Sequence, residues 1–182
     1  MTSLTRQVQN ELGKFLSEGA IAIDATAGNG HDTAFLAQHT GDSGHVYAFD
    51  IQHQAIENTQ RRLQQLELDQ RVTLIEDSHE HFLTHLPASY QGQISVIMFN
   101  LGYLPGSDKN CITRTASTLK ALNHSLDLLR SGGALSVMLY PGHAGGQEET
   151  DAVLGWRSKL LSACKTRHIV TAGPQWLLIS RG

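Results

Sequence analysis

The chain has 182 residues, 40% of them hydrophobic, and a formal net charge of −3. That length suits one domain, residues 1–182, with a substantial core, and excludes two comfortable ones. The acidic balance excludes a global basic field, so any RNA contact has to come from a local patch.

The N-terminal stretch MTSLTRQVQNELGKFL is amphipathic and lacks the apolar core of a signal peptide. Strands are predicted at 20–26, 45–50, 71–77, 94–100, 134–140, 167–171 and 175–180. The central ones are continuously apolar, as strands covered on both faces are. A helix is predicted over 53–67, with Ile56, Thr59, Leu63 and Leu66 as its apolar stripe. Another spans 115–130, striped by Leu119, Leu122, Leu126 and Leu129, and Ser131-Gly132-Gly133 should stop it. A third runs from Gln147 to Cys164, with Glu148, Glu149 and Asp151 in a first turn that favours acids. Strands alternating with helices imply a parallel sheet covered on both faces. The last two strands are joined only by Ala172-Gly173-Pro174 and should form an antiparallel hairpin at one edge. Cys111 and Cys164 form no CxxC pattern and read as reduced thiols of a cytoplasmic protein. No apolar run approaches the roughly 18 residues of a membrane span, so no membrane partner is expected.

In such sheets ligands bind where strands end. The first strand leads into Asp24-Ala25-Thr26-Ala27-Gly28-Asn29-Gly30-His31-Asp32-Thr33. Its glycines allow close backbone approach, and the loop opens a helix. The second strand ends in Asp50, a carboxylate placed for both hydroxyls of a ribose, with Ile51 beside it. The third ends in Glu76-Asp77-Ser78, placed to reach an adenine edge. A nicotinamide-binding domain would share Gly28, Gly30 and Asp50, but would want a third Gly near Thr33. Asp24, an acid ahead of the glycines, suits a cationic ligand such as S-adenosylmethionine better than a pyrophosphate. A Gly-rich turn with Asp32 as a helix cap is the plain structural alternative.

The segments DATAGNGHDTAFLA, AFDIQ, EDSHE, FNLGYLPGSDK and YPGHAGGQEE, in this order, resemble the YtqB/MnmM-type methyltransferases, long described as rRNA methylases. The resemblance runs from about residue 4 to the C-terminus. It implies a class I S-adenosylmethionine-dependent, Rossmann-like α/β fold: a seven-stranded, mostly parallel sheet with a C-terminal antiparallel hairpin. It also implies an activity, methylation of the primary amine of 5-aminomethyl-2-thiouridine at the tRNA wobble position. Its cofactor set would be Asp24, Thr26, Gly28, Asn29, Gly30, Asp32, Thr33, Asp50, Ile51, Asp77, Ser78 and Asn100. His81 and Ser107 depart from the pattern, both outside the cofactor loop.

The segment FNLGYLPG is similar to the Asn/Asp-Pro-Pro-Tyr loop of base N-methyltransferases, with both prolines replaced. The resemblance makes Asn100 the acceptor of the target amine's hydrogens and Tyr103 the ring that stacks on the base. An ordinary strand exit with Tyr103 in the core is the alternative. A free alkylamine resembles lysine, whose pKa is about 10.4, and must lose a proton before it can attack. Burial and the adjacent sulfonium both favour that loss. His143 is a candidate general base, or a residue that bonds a loop or a subunit contact. Glu148 and Glu149 could hold a cationic acceptor. His79, His81 and His85 read as the polar face of a short helix, with no metal. Lys109, Arg114 and Lys120 could meet phosphates of an anticodon stem-loop, or be a solvated face. A catalytic domain this small reads a tRNA more readily as a homodimer. The remaining alternatives are an rRNA methyltransferase and a methyltransferase of small amines or phenols.

Overall fold

The computed structural model describes residues 4–102, 115–142, 144–160 and 164–182. Seven strands form one sheet: β1 Ile21–Asp24, β2 His45–Asp50, β3 Val72–Glu76, β4 Ile94–Asn100, β5 Leu129–Leu139, β6 Cys164–Val170 and β7 Gln175–Arg181. Their spatial order is β3-β2-β1-β4-β5-β7-β6. The first five are parallel, and β7 runs antiparallel to both β5 and β6, as the short connection requires. Helices α1 Leu4–Leu12, α2 His31–Thr40 and α3 His53–Gln65 cover one face. Helices α4 Phe82–His85, α5 Thr115–Leu128 and α6 Gly146–Arg157 cover the other.

Two apolar layers explain why the sheet holds. In β4 every residue from Ile94 to Phe99 is buried, and only Asn100 emerges. Alternate β4 side chains feed opposite layers: Ile97 and Phe99 join α4 and α5, while Val96 and Met98 join α1 and α2. Phe82 is fully buried between Phe49 and Phe99, with ring centroids 4.9 and 6.1 Å away. Each such ring contributes roughly 1.5–3 kcal/mol by leaving water. The N-terminal helix is amphipathic as read, with Val8 and Leu12 buried.

Three sequence expectations give way to tertiary pairing. Helix α5 ends at Leu128, because Leu129 already pairs with Ile94 of β4. The strand register then jumps to Val96↔Ala134, so Ser131-Gly132-Gly133 forms a bulge inside β5 instead of a helix stop, with Gly132 at φ +70°. Helix α6 ends at Arg157 rather than Cys164; Cys164 opens β6 and pairs with Arg181. On α3 the buried stripe is Ala55, Thr59 and Leu63, while Ile56 is half-buried and Leu66 is exposed.

The chain reverses its direction of travel across the sheet between β1 and β4. That switch point opens a crevice at the carboxyl ends of the strands. Asp24 lies level with Met98 in β4, and Asn100 lies level with Met138 in β5. The carboxyl ends of β1, β4 and β5 are therefore neighbours.

Candidate active site

The loop after β1 is held from three sides. Ala25 N–H donates to Met98 O at 2.8 Å and Ala27 N–H to Phe49 O at 2.8 Å, so the loop lies across the ends of β4 and β2. Gly28 N–H donates to Asp50 Oδ2 at 3.0 Å. From α3, Thr59 Oγ1 donates to Gly28 O at 3.2 Å and Arg62 Nε to Asn29 O at 2.6 Å. Asn58 Nδ2 reaches Asn29 Oδ1 at 2.9 Å. Gly28 and Gly30 take φ +55° and +75°. A Cβ on Gly30 would also come within 2.9 Å of Thr59 Cα. The glycines are thus fixed by conformation and by the approach of α3.

Asp24 is buried beneath this loop, with only 1% of its surface exposed. It accepts from Thr33 Oγ1 at 2.6 Å and from Thr26 N–H at 3.1 Å. Burial, aided by the neighbouring Asp32 charge, pushes its carboxyl up to about 7. Thr33 is fully buried against it, so these two fix the loop from below. Burial also raises Asp32 and Asp50. Asp50 accepts Gly28 N–H on one oxygen and Gln52 N–H, at 3.0 Å, on the other. Each oxygen keeps a lone pair for a diol. Ile51 is 53% exposed beside it, a large apolar surface left open at the strand end.

At the end of β3, both Asp77 oxygens already accept: His81 Nδ1 lies 2.9 Å away and His85 Nε2 2.7 Å. The His85 and His81 bonds hold Asp77 down at about 2. Ser78 caps the following turn by accepting Glu80 N–H at 3.4 Å. Among the described residues no cluster of three or more His, Cys, Asp or Glu side chains could hold a metal ion. His79 is buried, with Nδ1 3.2 Å from Ala25 O. A carbonyl only accepts, so Nδ1 carries the proton and Nε2 is a bare acceptor, unpartnered among the described residues. Burial lowers its pKa and keeps it neutral.

Asn100 stands across the crevice. Its backbone N–H donates to Thr26 Oγ1 at 2.7 Å, which joins the β4 exit to the β1 loop. Its side-chain Nδ2 donates to Asp32 Oδ2 at 3.4 Å, and the Asn100 side chain holds the Tyr140 phenol's pKa down against burial. Asp32 Oδ1 accepts from Gln9 Nε2 of α1 at 3.3 Å. Tyr140 leaves β5 as Asn100 leaves β4, and burial raises its phenol. Sequence reading missed Tyr140, although the strand-exit rule that singled out Asn100 applies equally to it. It also missed Gln9, Asn58 and Arg62, which reach the loop from helices distant in sequence and carry no local signal. Glu149, on the first turn of α6, is buried and accepts from Thr118 Oγ1 at 2.8 Å; Glu148 is exposed. Lys120 pairs with Glu80 at 3.5 Å. Tyr103, His143, Lys109 and Arg114 lie outside the described residues.

Residues 46–172, more than half the chain, match the family described as "Putative rRNA methylase". The chain belongs to this family. It is 37% identical over 153 residues to the "tRNA (mnm(5)s(2)U34)-methyltransferase, chloroplastic" of Arabidopsis thaliana. That match covers 80% of this chain and 55% of the relative, so the chain spans about half the length of that protein. Two solved structures at similar identity extend over the whole chain. The "putative rRNA-methylase" of Clostridium thermocellum is 34% identical, with a TM-score of 0.94, covering 100% of this chain and 99% of its own. SMU.1697c of Streptococcus mutans, a "putative methyltransferase" solved with S-adenosylhomocysteine, is 33% identical with a TM-score of 0.88 and the same coverage. The YtqB/MnmM-type resemblance and the class I fold both stand, and this rRNA methylase-family protein is an S-adenosylmethionine-dependent methyltransferase. Its site fits that cofactor on structural grounds: Asp24, Asp32 and Asp50 all lie above their ordinary pKa by burial, a strain that a cationic ligand relieves.

Proposed function

We propose that this methyltransferase acts on RNA, methylating a primary amine: that of 5-aminomethyl-2-thiouridine at the tRNA wobble position. The observation that carries the reading is the Asn100 amide. Nδ2 donates to Asp32 Oδ2 at 3.4 Å, which turns Oδ1 away from that carboxylate. What remains beside the cofactor loop is a hydrogen-bond acceptor, which matches a donor N–H of an amine. The Arabidopsis relative, named a tRNA (mnm(5)s(2)U34)-methyltransferase, supports the same substrate.

Bound S-adenosylmethionine supplies a methyl group on a sulfonium, open to in-line displacement. The chain's own residues then have distinct parts. Asp50 accepts the ribose hydroxyls, Ile51 covers the adenine, and Asp77 with Ser78 faces the adenine edge. Gly28, Asn29, Gly30, Thr33 and Thr26 shape the loop against the ligand. Asp24 and Asp32 supply the negative field for its ammonium group and sulfonium. Asn100 Oδ1 orients the acceptor amine with its lone pair toward the methyl group. Burial beside a cation favours the neutral amine, each unit of downward shift corresponding to roughly 1.4 kcal/mol. The sequence reading assigns Tyr103 to the uracil ring and His143 to the proton; both lie outside the described residues.

The same reading carries a homodimer that builds a groove for the anticodon stem-loop, and a cytoplasmic location. No helix among the described residues is long and apolar enough to cross a membrane. A methyltransferase of small amines is the second reading, favoured by the net charge of −3. Mass spectrometry of nucleosides from undermodified tRNA, incubated with the protein and S-adenosylmethionine, tests the choice. A gain of one methyl on the aminomethyl nucleoside is expected. No gain, with cofactor binding intact, would overturn the wobble-amine reading in favour of rRNA or small amines.

A further inference from the structure

The end of α2 that faces the crevice carries one carboxylate bonded to two different parts of the fold and close in charge to a third. Asp32 Oδ1 accepts from Gln9 of α1 at 3.3 Å, and Oδ2 accepts from Asn100 at the β4 exit at 3.4 Å. Tyr140, leaving β5, feels the same charge. Asp32 is also the first acidic side chain after the cofactor loop, in the helix turn that follows Gly30.

We propose that Asp32 is a positioning residue that couples the two halves of the reaction: one oxygen serves the cofactor's ammonium group, and the other fixes the Asn100 amide with its carbonyl oxygen toward the acceptor amine. The inference rests on the amine reading above and adds to it a direction of control. An ionised carboxylate has no proton to give, so it accepts only from Nδ2, and Oδ1 must point away. A protonated carboxyl donates, so it can take Oδ1 instead and turn the amide around. The flipped amide would show N–H groups to an amine, which repels the substrate's donors. Burial raises Asp32, so its charge is the weak point of the empty site. A bound cation stabilises that charge. The cofactor therefore holds the amide in the orientation that Nδ2 already takes toward Asp32, with Oδ1 left for the acceptor.

Other charges face Asp32 and have to be separated from it. Asp24 lies beneath it and interacts with it directly, and His31 is its neighbour on α2. Gln9 contacts it from α1, and the Tyr140 phenol from β5. Substituting Asp32 and Asp24 one at a time separates the two carboxylates.

The test reads the amide itself, by NMR of the Asn100 side-chain ¹⁵N–H₂ group, assigned by its loss in Asn100→Ala. Its signal should titrate with a midpoint above the ordinary carboxylate range. Saturating sinefungin, a charged cofactor analogue, should move that midpoint down by about one unit or more, the scale of an opposite charge within a few ångströms. Asp32→Asn should abolish the response, and Asp24→Asn should leave it in place. A response that survives in Asp32→Asn and disappears in Asp24→Asn would overturn the proposal. A rate measurement gives the second arm. In single turnover at saturating cofactor, Asp32→Asn should slow transfer about 10-fold or more in the native background and less than about 2-fold in Asn100→Ala. Equal slowing in both backgrounds would assign Asp32 to cofactor binding alone and overturn the coupling. If the unsubstituted enzyme leaves the wobble amine unmethylated, the amine reading falls, and the NMR titration still decides whether Asp32 sets the amide.

Discussion

The two halves of the crevice are built differently. On the β1–β2 side the cofactor loop is held by backbone groups: Ala25 to Met98, Ala27 to Phe49 and Gly28 to Asp50, with Thr59 and Arg62 of α3 closing on its carbonyls. On the β4–β5 side, Asn100 has one short bond, from its backbone to Thr26. Its side chain is held by a long contact to Asp32 and by Tyr140. A backbone cradle can be filled by almost any sequence once its glycines are in place. A side-chain amide has a chemical direction. In the proposed reading the first half is a preformed seat for the cofactor, and the second presents a group whose orientation depends on a neighbour's charge.

The sharpest way to break this comparison is at the acceptor end. Asn100→Ala removes the acceptor atom and leaves the loop bond from its backbone intact. Single-turnover transfer should fall about 100- to 1,000-fold, the scale of losing one oriented polar group at a reacting centre. Calorimetry should find cofactor affinity within about 2-fold. A matched loss of affinity would show that the halves are not separable. Asp50→Ala is the complementary cut. It removes an acceptor for Gly28 N–H and the proposed ribose partner. Cofactor affinity should drop about 10- to 100-fold, about 1.4–2.7 kcal/mol, with the rate at saturation nearly unchanged. An unchanged affinity would remove Asp50 from the cofactor site.

A third cut uses pH. Asp24 titrates near 7 in the folded protein against 3.8 in a free chain. As an acid with a raised folded pKa, it weakens the fold as pH rises from about 4 to 7, and above 7 its penalty is constant. A cationic cofactor prefers the ionised form, so binding releases a proton. Affinity should rise by up to about 10-fold from pH 6 to 8 and then level off. Asp24→Asn should flatten that rise and stabilise the cofactor-free protein at pH 8, as read by thermal unfolding. An Asp24→Asn enzyme with the native pH profile would place the titration on Asp32 or Asp50.

Much of the cofactor half was legible in sequence, because its determinants are local. Asp24, Gly28 and Gly30 share one loop, and Asp50 ends the next strand, so strand exits alone bring them together. On the β4–β5 side the sequence named Asn100 and, separately, Asp32, but not their contact. Gln9, Asp32 and Tyr140 meet there from α1, α2 and β5, and no spacing in the chain announces that they converge. The misplaced ends of α5 and α6 have the same origin. Leu129 and Cys164 suit a helix by pattern, but each has a strand partner, Ile94 and Arg181, that local periodicity cannot see. Asp77 is a case of its own: the strand pattern places it at the strand end, but a polar helical face says nothing of the two histidines, one of them the departure His81, that bond it.

Those histidines give the smallest expected effect and a clean sign. Asp77 sits at about 2, below the 3.8 of a free chain, held chiefly by His85 and then His81. A depressed acid contributes stability that is present above about 4 and is lost as pH falls through about 2. The carboxylate is a third exposed, so water screens most of the nominal gain, and about 1 kcal/mol or less should survive. His85→Ala should therefore raise the Asp77 pKa, followed by ¹³C NMR of its carboxyl. It should cost at most about 1 kcal/mol at pH 7, and the difference should shrink as pH falls through about 2, where the native acid takes up its proton. For the cofactor the freed oxygen matters more than the lost energy. If Asp77 faces the adenine amine, releasing one of its two histidine donors leaves a lone pair open, and cofactor affinity should hold or rise by up to about 3-fold. A fall in affinity would mean that the histidine clamp itself shapes the adenine edge, and the cofactor half would then depend on side-chain direction just as the acceptor half does.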